Sequence, residues 1–368
     1  AYALAQSAVR ARPRSRVWLA RLAQAARWSN HPQTALTALC RLALDLHETR
    51  YLQPALDLAV GLRDETRAVL LLRELIRLGR ATPAQRRMLS GLYLDTGEPE
   101  RAVRELQREF ARDPTPQLLW EQAVIYGSLG EPARELATLK RYRERYGPGT
   151  QVTLAIATIE YVHGRLPQAL AALVSAEPHA RQSDTAYWET LSGLAWMLER
   201  YPLAARAAQV LIDTGKADTA DYQRVVYAEQ YRHPQRAFAV AERGWKQTHD
   251  PGMFLSMLYV ASALQPATPW LARAFAALGP GQAGAFAAEP AYWTSLAELR
   301  AAQGHGRAAL AAYRQALRLS PGDDSLLAGY LWLLIDSGNL TPIASHLYRL
   351  DHRARQAPAL WAPITAAY

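Results

Sequence analysis

A small residue recurs along this chain at steps of about 34 positions. It falls at Ala1, Ala35, Ala68 and Ala102, then at Ala169, Ala204, Ala237, Ala272 and Ala309. One copy is degenerate, near Glu135, and the last slot holds the larger Ile343. A second signal runs in phase with the first. Pro32, Pro99, Pro132, Pro167, Pro202, Pro234 and Pro269 stand two or three residues before that slot. Proline lacks the N–H that a first helical turn leaves unpaired anyway, so each proline marks a helix start. Gly97, Gly130, Gly164, Gly304 and Gly338 lie in the turn just before, where a left-handed backbone is often needed. The chain therefore reads as a series of two-helix units, each burying its apolar face against its neighbours.

One unit is nearly complete in its side chains: Trp293, Leu296, Ala297, Gly304, Ala309, Tyr313, Ala316 and Pro321. It resembles the tetratricopeptide repeat, with Ala297 for the usual Gly and Arg300 for the usual Tyr. The resemblance implies an all-α fold, a right-handed α-solenoid of about ten helix pairs. The pairs are predicted near 17–44, 49–79, 83–112, 116–145, 150–176, 185–214, 219–248, 252–278, 292–319 and 324–351. The run Leu278-Gly279-Pro280-Gly281-Gln282-Ala283-Gly284 is loop chemistry where a helix should end. The array is thus expected to span residues 1–278, with a looser joint at 279–290 and C-terminal repeats at 291–368. Ala1 to Pro13 fits a second helix and Ala359 to Tyr368 a first helix without its partner, so a piece of a longer protein is expected.

Charge narrows the partners. Lys and Arg outnumber Asp and Glu by 19 to 12 in residues 1–120, but stand 15 to 15 in 121–250 and 8 to 6 in 251–368. The excess is densest at Arg10, Arg12, Arg14, Arg16 and Arg21, and no acidic residue occurs in 1–44. These five are candidates for a patch that docks an acidic protein; the alternative is a solvated arginine-rich face. RNA reading by helical repeats needs recurrent polar residues at fixed slots. The chain has two asparagines, Asn30 and Asn339, and three lysines, Lys140, Lys216 and Lys246. Nucleic acid is therefore not expected, nor is the Lys/Asn carboxylate clamp known in some of these repeats.

Chemistry-bearing motifs are missing from the sequence. It has no phosphate loop, no G-x-S-x-G, no H-E-x-x-H and no paired-cysteine zinc spacing. Cys40 is the one cysteine and sits on an apolar stripe with Leu36, Leu39 and Ala43. His31, His163, His233 and His305 fall in turns of different repeats, too far apart for shared ligation. His346, Asp351 and His352 are close in sequence but off the i, i+4 spacing. No catalysis, cofactor or metal is expected, and no apolar run of about 18 residues suggests a membrane helix. Aromatic residues are more informative. By phase, Trp28, Trp120, Tyr161, Trp196, Tyr222 and Trp332 lie on first helices, which line the inner surface of such an array. They either pack between repeats or offer anchors for a peptide or a sugar polymer.

The C-terminal third carries a narrower resemblance. Ala291-Tyr292-Trp293, Ala308 to Leu317, Tyr330-Leu331-Trp332-Leu333-Leu334-Ile335-Asp336, Leu360-Trp361 and Ala366-Ala367-Tyr368 are similar to the PelB family, the outer-membrane exporters of the Pel exopolysaccharide. That resemblance implies a periplasmic scaffold preceding a C-terminal β-barrel pore. It implies the deacetylase/hydrolase PelA as protein partner, and Pel polysaccharide as a possible second one. Pel is a cationic amino-sugar polymer, so the basic first third suits an acidic protein better than the glycan. Residues 121–250 are the better place for polymer contact. A general peptide-binding repeat module in complex assembly or regulation is the competing reading.

Overall fold

The computed structural model describes residues 1–279, 281–338, 341–344 and 347–367. Pro280, Asn339, His346 and Tyr368, which entered the sequence reading, lie outside the described residues, and so does the side chain of Ile343. Among the described residues every regular element is a helix. Two compact bodies are present, Ala1–His163 and the chain from Gly164 onward.

The first body holds α1 Tyr2–Ala11, α2 Arg16–Trp28, α3 Pro32–Cys40, α4 Leu52–Gly61, α5 Glu65–Arg77, α6 Pro83–Asp95, α7 Pro99–Arg112, α8 Pro116–Ser128, α9 Pro132–Tyr146 and α10 Thr150–Val162. A π-helical turn, Arg41–Asp45, extends α3. The second holds α11 Leu166–Ala176, α12 Thr185–Met197, α13 Tyr201–Asp213, α14 Thr219–Glu229, α15 Pro234–Thr248, α16 Pro251–Ala263, α17 Thr268–Ala276, α18 Pro290–Ala302, α19 Gly306–Leu319, α20 Asp324–Asp336, α21 Thr341–Ala344, α22 Leu347–Ala354 and α23 Trp361–Ala367. From α1 to α10 and from α11 to α20, helices adjacent in sequence pack on each other, and α16 also packs on α14 and α18.

The recurring small residue is buried because it sits where the second helix crosses the first. Ala35, Ala102, Ala169, Ala204, Ala237 and Ala309 are 0% exposed. Ala272 breaks the series and is half-buried. In the other second helices from α3 to α19 the slot is the fourth helical residue. In α17 that residue is Leu271, 1% exposed, so the phase there is one residue earlier than the alanine suggested. Most turns between paired helices share one left-handed residue, those after α14 and α16 being without it. Glycine supplies it at Gly97 and Gly130, with φ of 74° and 68°. Arg63 and Glu199 take the same place with φ of 53° and 56°, where a side chain costs about 1–2 kcal/mol.

The irregular stretch expected at 279–290 lies inside the second body and contains a 3-10 turn, Gln282–Phe286. It is anchored, which the glycine content did not suggest. Phe286 is 0% exposed, and its ring lies 4.7 Å from Phe254 and 5.7 Å from Tyr292, stacked on the latter.

Candidate functional site

The five arginines near the N-terminus straddle the end of α1 and the start of α2. Arg10, Arg12 and Arg14 are exposed. Arg16 is not free: its Nε lies 3.1 Å from Glu48 Oε1, a carboxylate brought in from beyond α3. Arg21 stacks over the Trp18 ring at 4.8 Å, a contact that holds the guanidinium against its own helix. The counter-ion of Arg16 is 32 residues away in sequence, outside the acid-free stretch 1–44.

The six aromatic candidates also separate. Trp28 is 79% exposed, Tyr161 49% and Trp332 41%, while Trp120 and Trp196 are half-buried. Tyr222 is a core residue, contrary to its placement by phase. It is 1% exposed, and its hydroxyl donates to Gln247 Oε1 at 3.3 Å. Its ring fills the space opposite Gly244, where an added Cβ would come within 3.0 Å of Tyr222 Cγ. Being only four residues into α14, it faces the paired helix α15 rather than the open side.

Among the described residues, Trp196 is the only one of the six with an aromatic ring partner. It meets Tyr201 at 5.0 Å and Tyr227 at 5.2 Å, both edge-to-face, and those two meet each other at 5.0 Å. Tyr231, one turn beyond Tyr227, is 78% exposed and shares a 3.3 Å hydroxyl contact with Tyr259, which is 57% exposed. The result is two aromatic groups, Trp196–Tyr201–Tyr227 from α12, α13 and α14 and Tyr231–Tyr259 from the α14–α15 turn and α16, linked by the four-residue step from Tyr227 to Tyr231 and together called the strip. The Tyr201 phenol is held above its usual pKa by desolvation, then by Glu199 and the Tyr227 hydroxyl. The Tyr259 phenol is raised by its bond to Tyr231. Both hydroxyls therefore stay neutral, able to donate or accept.

A polar lock fixes the helices beneath the strip. Arg224 Nη1 donates to Asp221 Oδ1 at 2.8 Å and to Ser192 Oγ at 3.1 Å, and Ser192 Oγ donates to the Ala204 carbonyl at 3.3 Å. These bonds join α12, α13 and α14. Beside the strip a groove of about 600 Å³ runs past Tyr201, Arg206, Tyr227, Glu229, Arg232 and Arg236. Arg206 is paired with Glu177 and Arg236 lies near Glu229, whereas Arg232 has no carboxylate partner among the described residues. Tyr201, Tyr227, Tyr231 and Tyr259 were missed by the sequence reading: Tyr201 opens a second helix and Tyr231 lies in a turn, while on α14 the phase picked Tyr222 and on α16 it picked no residue. The crowding of Tyr and Trp between 187 and 259 was the available signal.

The turn histidines stay apart. His31 stacks on Tyr2 at 4.3 Å, His163 Nδ1 bonds the Ile159 carbonyl, and His233 Nδ1 bonds Glu229. Among the described residues no three His, Cys, Asp or Glu side chains converge as metal ligands, and no helix is long and apolar enough to cross a membrane.

The family model for the tetratricopeptide repeat matches residues 141–368, more than half of the chain. The chain belongs to the tetratricopeptide repeat family. Arrays of this family present extended surfaces for protein partners, so the molecule is a tetratricopeptide interaction scaffold. No curated protein matches it. Among solved structures it is similar to the Naa15/Naa10 complex bound to HypK-THB, at 14% identity and a TM-score of 0.48, covering 96% of this chain. It spans only 60% of that chain. It is also similar to a tetratricopeptide repeat protein from Parabacteroides merdae, at 13% identity over 77% of this chain and 98% of that one, with a TM-score of 0.36. A third likeness is to YrrB, at 16% identity over 47% of this tetratricopeptide array and 90% of that chain, with a TM-score of 0.31.

Proposed function

We propose that this array is a non-catalytic scaffold that holds an extended segment of a protein partner against the strip formed by Trp196, Tyr201, Tyr227, Tyr231 and Tyr259. The observation that carries the reading is the exposure of Tyr231 and Tyr259 at 78% and 57% on a rigid base. Core packing needs neither ring. Tyrosine offers a large amphipathic contact with few rotatable bonds, so little entropy is lost when a partner covers it. The groove alongside, with Arg232 at its rim, would receive the partner's polar groups. The test is photo-crosslinking in the native cell with benzoylphenylalanine replacing Tyr231 or Tyr259. A discrete crosslinked protein species at both positions, absent when the probe replaces exposed Arg318 in α19, is expected. Equal crosslinking at all three positions, or none, would end this assignment.

A narrower form of the same reading places the array in the periplasm, in Pel exopolysaccharide export. There PelA would be the partner, with the polymer guided to an outer-membrane pore through a C-terminal barrel. Its support is the resemblance carried by Tyr330–Asp336 and Leu360-Trp361, together with the exposure of Trp332 and Trp361 at 41% and 57%. The general interaction scaffold has the broader support, because the family match covers the whole of 141–368. Purified PelA decides between them. Saturable binding supports export, and no binding at micromolar concentration removes it while leaving the general scaffold intact.

A further inference from the structure

The first body contains a second surface with a different chemistry. A pocket of about 230 Å³ opens between the ends of α5 and α7, the middle of α6 and the start of α8. Its floor is aliphatic, formed by Ile76, Leu106 and Leu118. Its walls carry four arginines, Arg86, Arg87, Arg108 and Arg112, against two glutamates, Glu105 and Glu109, a net charge of +2.

The charges are not equivalent. Glu109 is 8% exposed and its Oε1 lies 2.7 Å from Arg86 Nε, an ion pair that links α6 to α7 although its geometry leaves Arg86 Nε without a hydrogen bond. Arg108 Nη1 lies 2.5 Å from Glu105 Oε1, which neutralises it at the rim. Arg87 and Arg112 are exposed and have no carboxylate partner among the described residues. An open groove of about 670 Å³ adjoins the pocket, sharing Ile76, Glu105 and Arg108. It runs toward Leu44 and Asp45 in the π-helical turn and past Leu70, 46% exposed, and Arg73, again without a carboxylate partner among the described residues.

We propose that this pocket and groove bind an acidic peptide segment of a partner, anchored by one apolar side chain next to a carboxylate side chain. The volume is below the 300–1,000 Å³ typical of small-molecule sites and suits one side chain. The aliphatic floor takes the apolar group. The two free guanidinium forks match a carboxylate in bidentate geometry. A phosphate dianion fits less well, because the aliphatic floor offers it nothing. The lining holds no aromatic platform on which a nucleic-acid base could stack. This site stands in the first body and does not depend on the aromatic strip of the second; either can fail without the other.

The test uses the whole chain and fluorescence anisotropy of a labelled peptide, Gly-Leu-Glu-Leu-Glu-Gly. Saturable binding is expected, weakened at least about tenfold by the double variant Arg87→Glu/Arg112→Glu and less by Arg87→Gln/Arg112→Gln. Both variants should melt as the parent does, since the two positions changed are solvent-facing. Arg318→Glu in α19 controls for loss of charge and should leave the affinity unchanged. Peptides with Gly for each Leu, or Gln for each Glu, should bind at least about tenfold more weakly. The proposal is overturned if the parent does not bind the peptide, or if Arg318→Glu weakens binding as much as the double variant. It is equally overturned if millimolar inorganic phosphate displaces the peptide while the Gly-substituted peptide binds as well as the original, which would mark a general oxyanion pocket.

Discussion

The Glu135 carboxylate lies directly over Gly127, so that a Cβ added at Gly127 would come within 3.0 Å of Glu135 Oε1. Glu135 occupies the slot that alanine fills in the neighbouring units, as the fourth residue of α9. Glycine on α8 makes room for the misplaced side chain. Burial raises the Glu135 pKa above 4.5, so the ionised form is disfavoured in the folded state. Its contribution is therefore most favourable below the unfolded value and is lost as pH rises through the folded one. Glu135→Ala is expected to stabilise the first body at pH 7 by roughly 0.5–1 kcal/mol. The gain should shrink as pH falls below 4.5. Thermal melts of both proteins at several pH values check this; a variant no more stable at neutral pH contradicts it.

Glu242 on α15 shows the opposite sign. Burial works against its charge, but bonds from Arg273 at 2.5 Å and Lys246 at 3.0 Å outweigh that penalty and hold its pKa below 4.5. The stability it contributes is present above the unfolded value and is lost as pH falls through the depressed folded one. Arg273→Ala leaves a mostly buried carboxylate with one partner. The expected cost is about 1–3 kcal/mol, below the figure for a fully buried pair because Arg273 is itself half exposed. Urea unfolding at neutral pH measures it, and the loss should diminish in acid.

Phe286 should be the residue that keeps the 279–290 segment in place. Phe286→Ala removes a ring that touches Trp245, Phe254 and Tyr292. It is expected to destabilise by about 3–5 kcal/mol and to open this segment to limited proteolysis. If the parent protein is cut in 279–290 before any other internal site, the anchoring described here is too weak to matter.

The periodic part of the fold was legible because most repeats state it locally, through a proline at the helix start, a small residue at the crossing or a left-handed turn. Departures came where a neighbour in space decides. Leu271 replaces Ala272 in the buried slot because α17 starts one residue early for its phase. Tyr222 turns inward because Gly244 on the paired helix leaves a cavity for it. Glu48 reaches Arg16 across α3, which no count of nearby charges could reveal. The candidate site was legible only at Trp196. Its companions were not, because Tyr201 opens a second helix, Tyr231 lies in a turn, and Tyr227 and Tyr259 sit at other positions of their first helices than the residues picked by phase.

The strip is expected to hold a protein partner. Its most direct test is the affinity of the purified partner, recovered by crosslinking, for the parent array and for Tyr231→Ala/Tyr259→Ala. Both rings are exposed, so the fold and the melting temperature should be unchanged. Loss of at least about tenfold in affinity, mostly through faster dissociation, is the expected result. An affinity equal to that of the parent, with both proteins folded, would contradict the account.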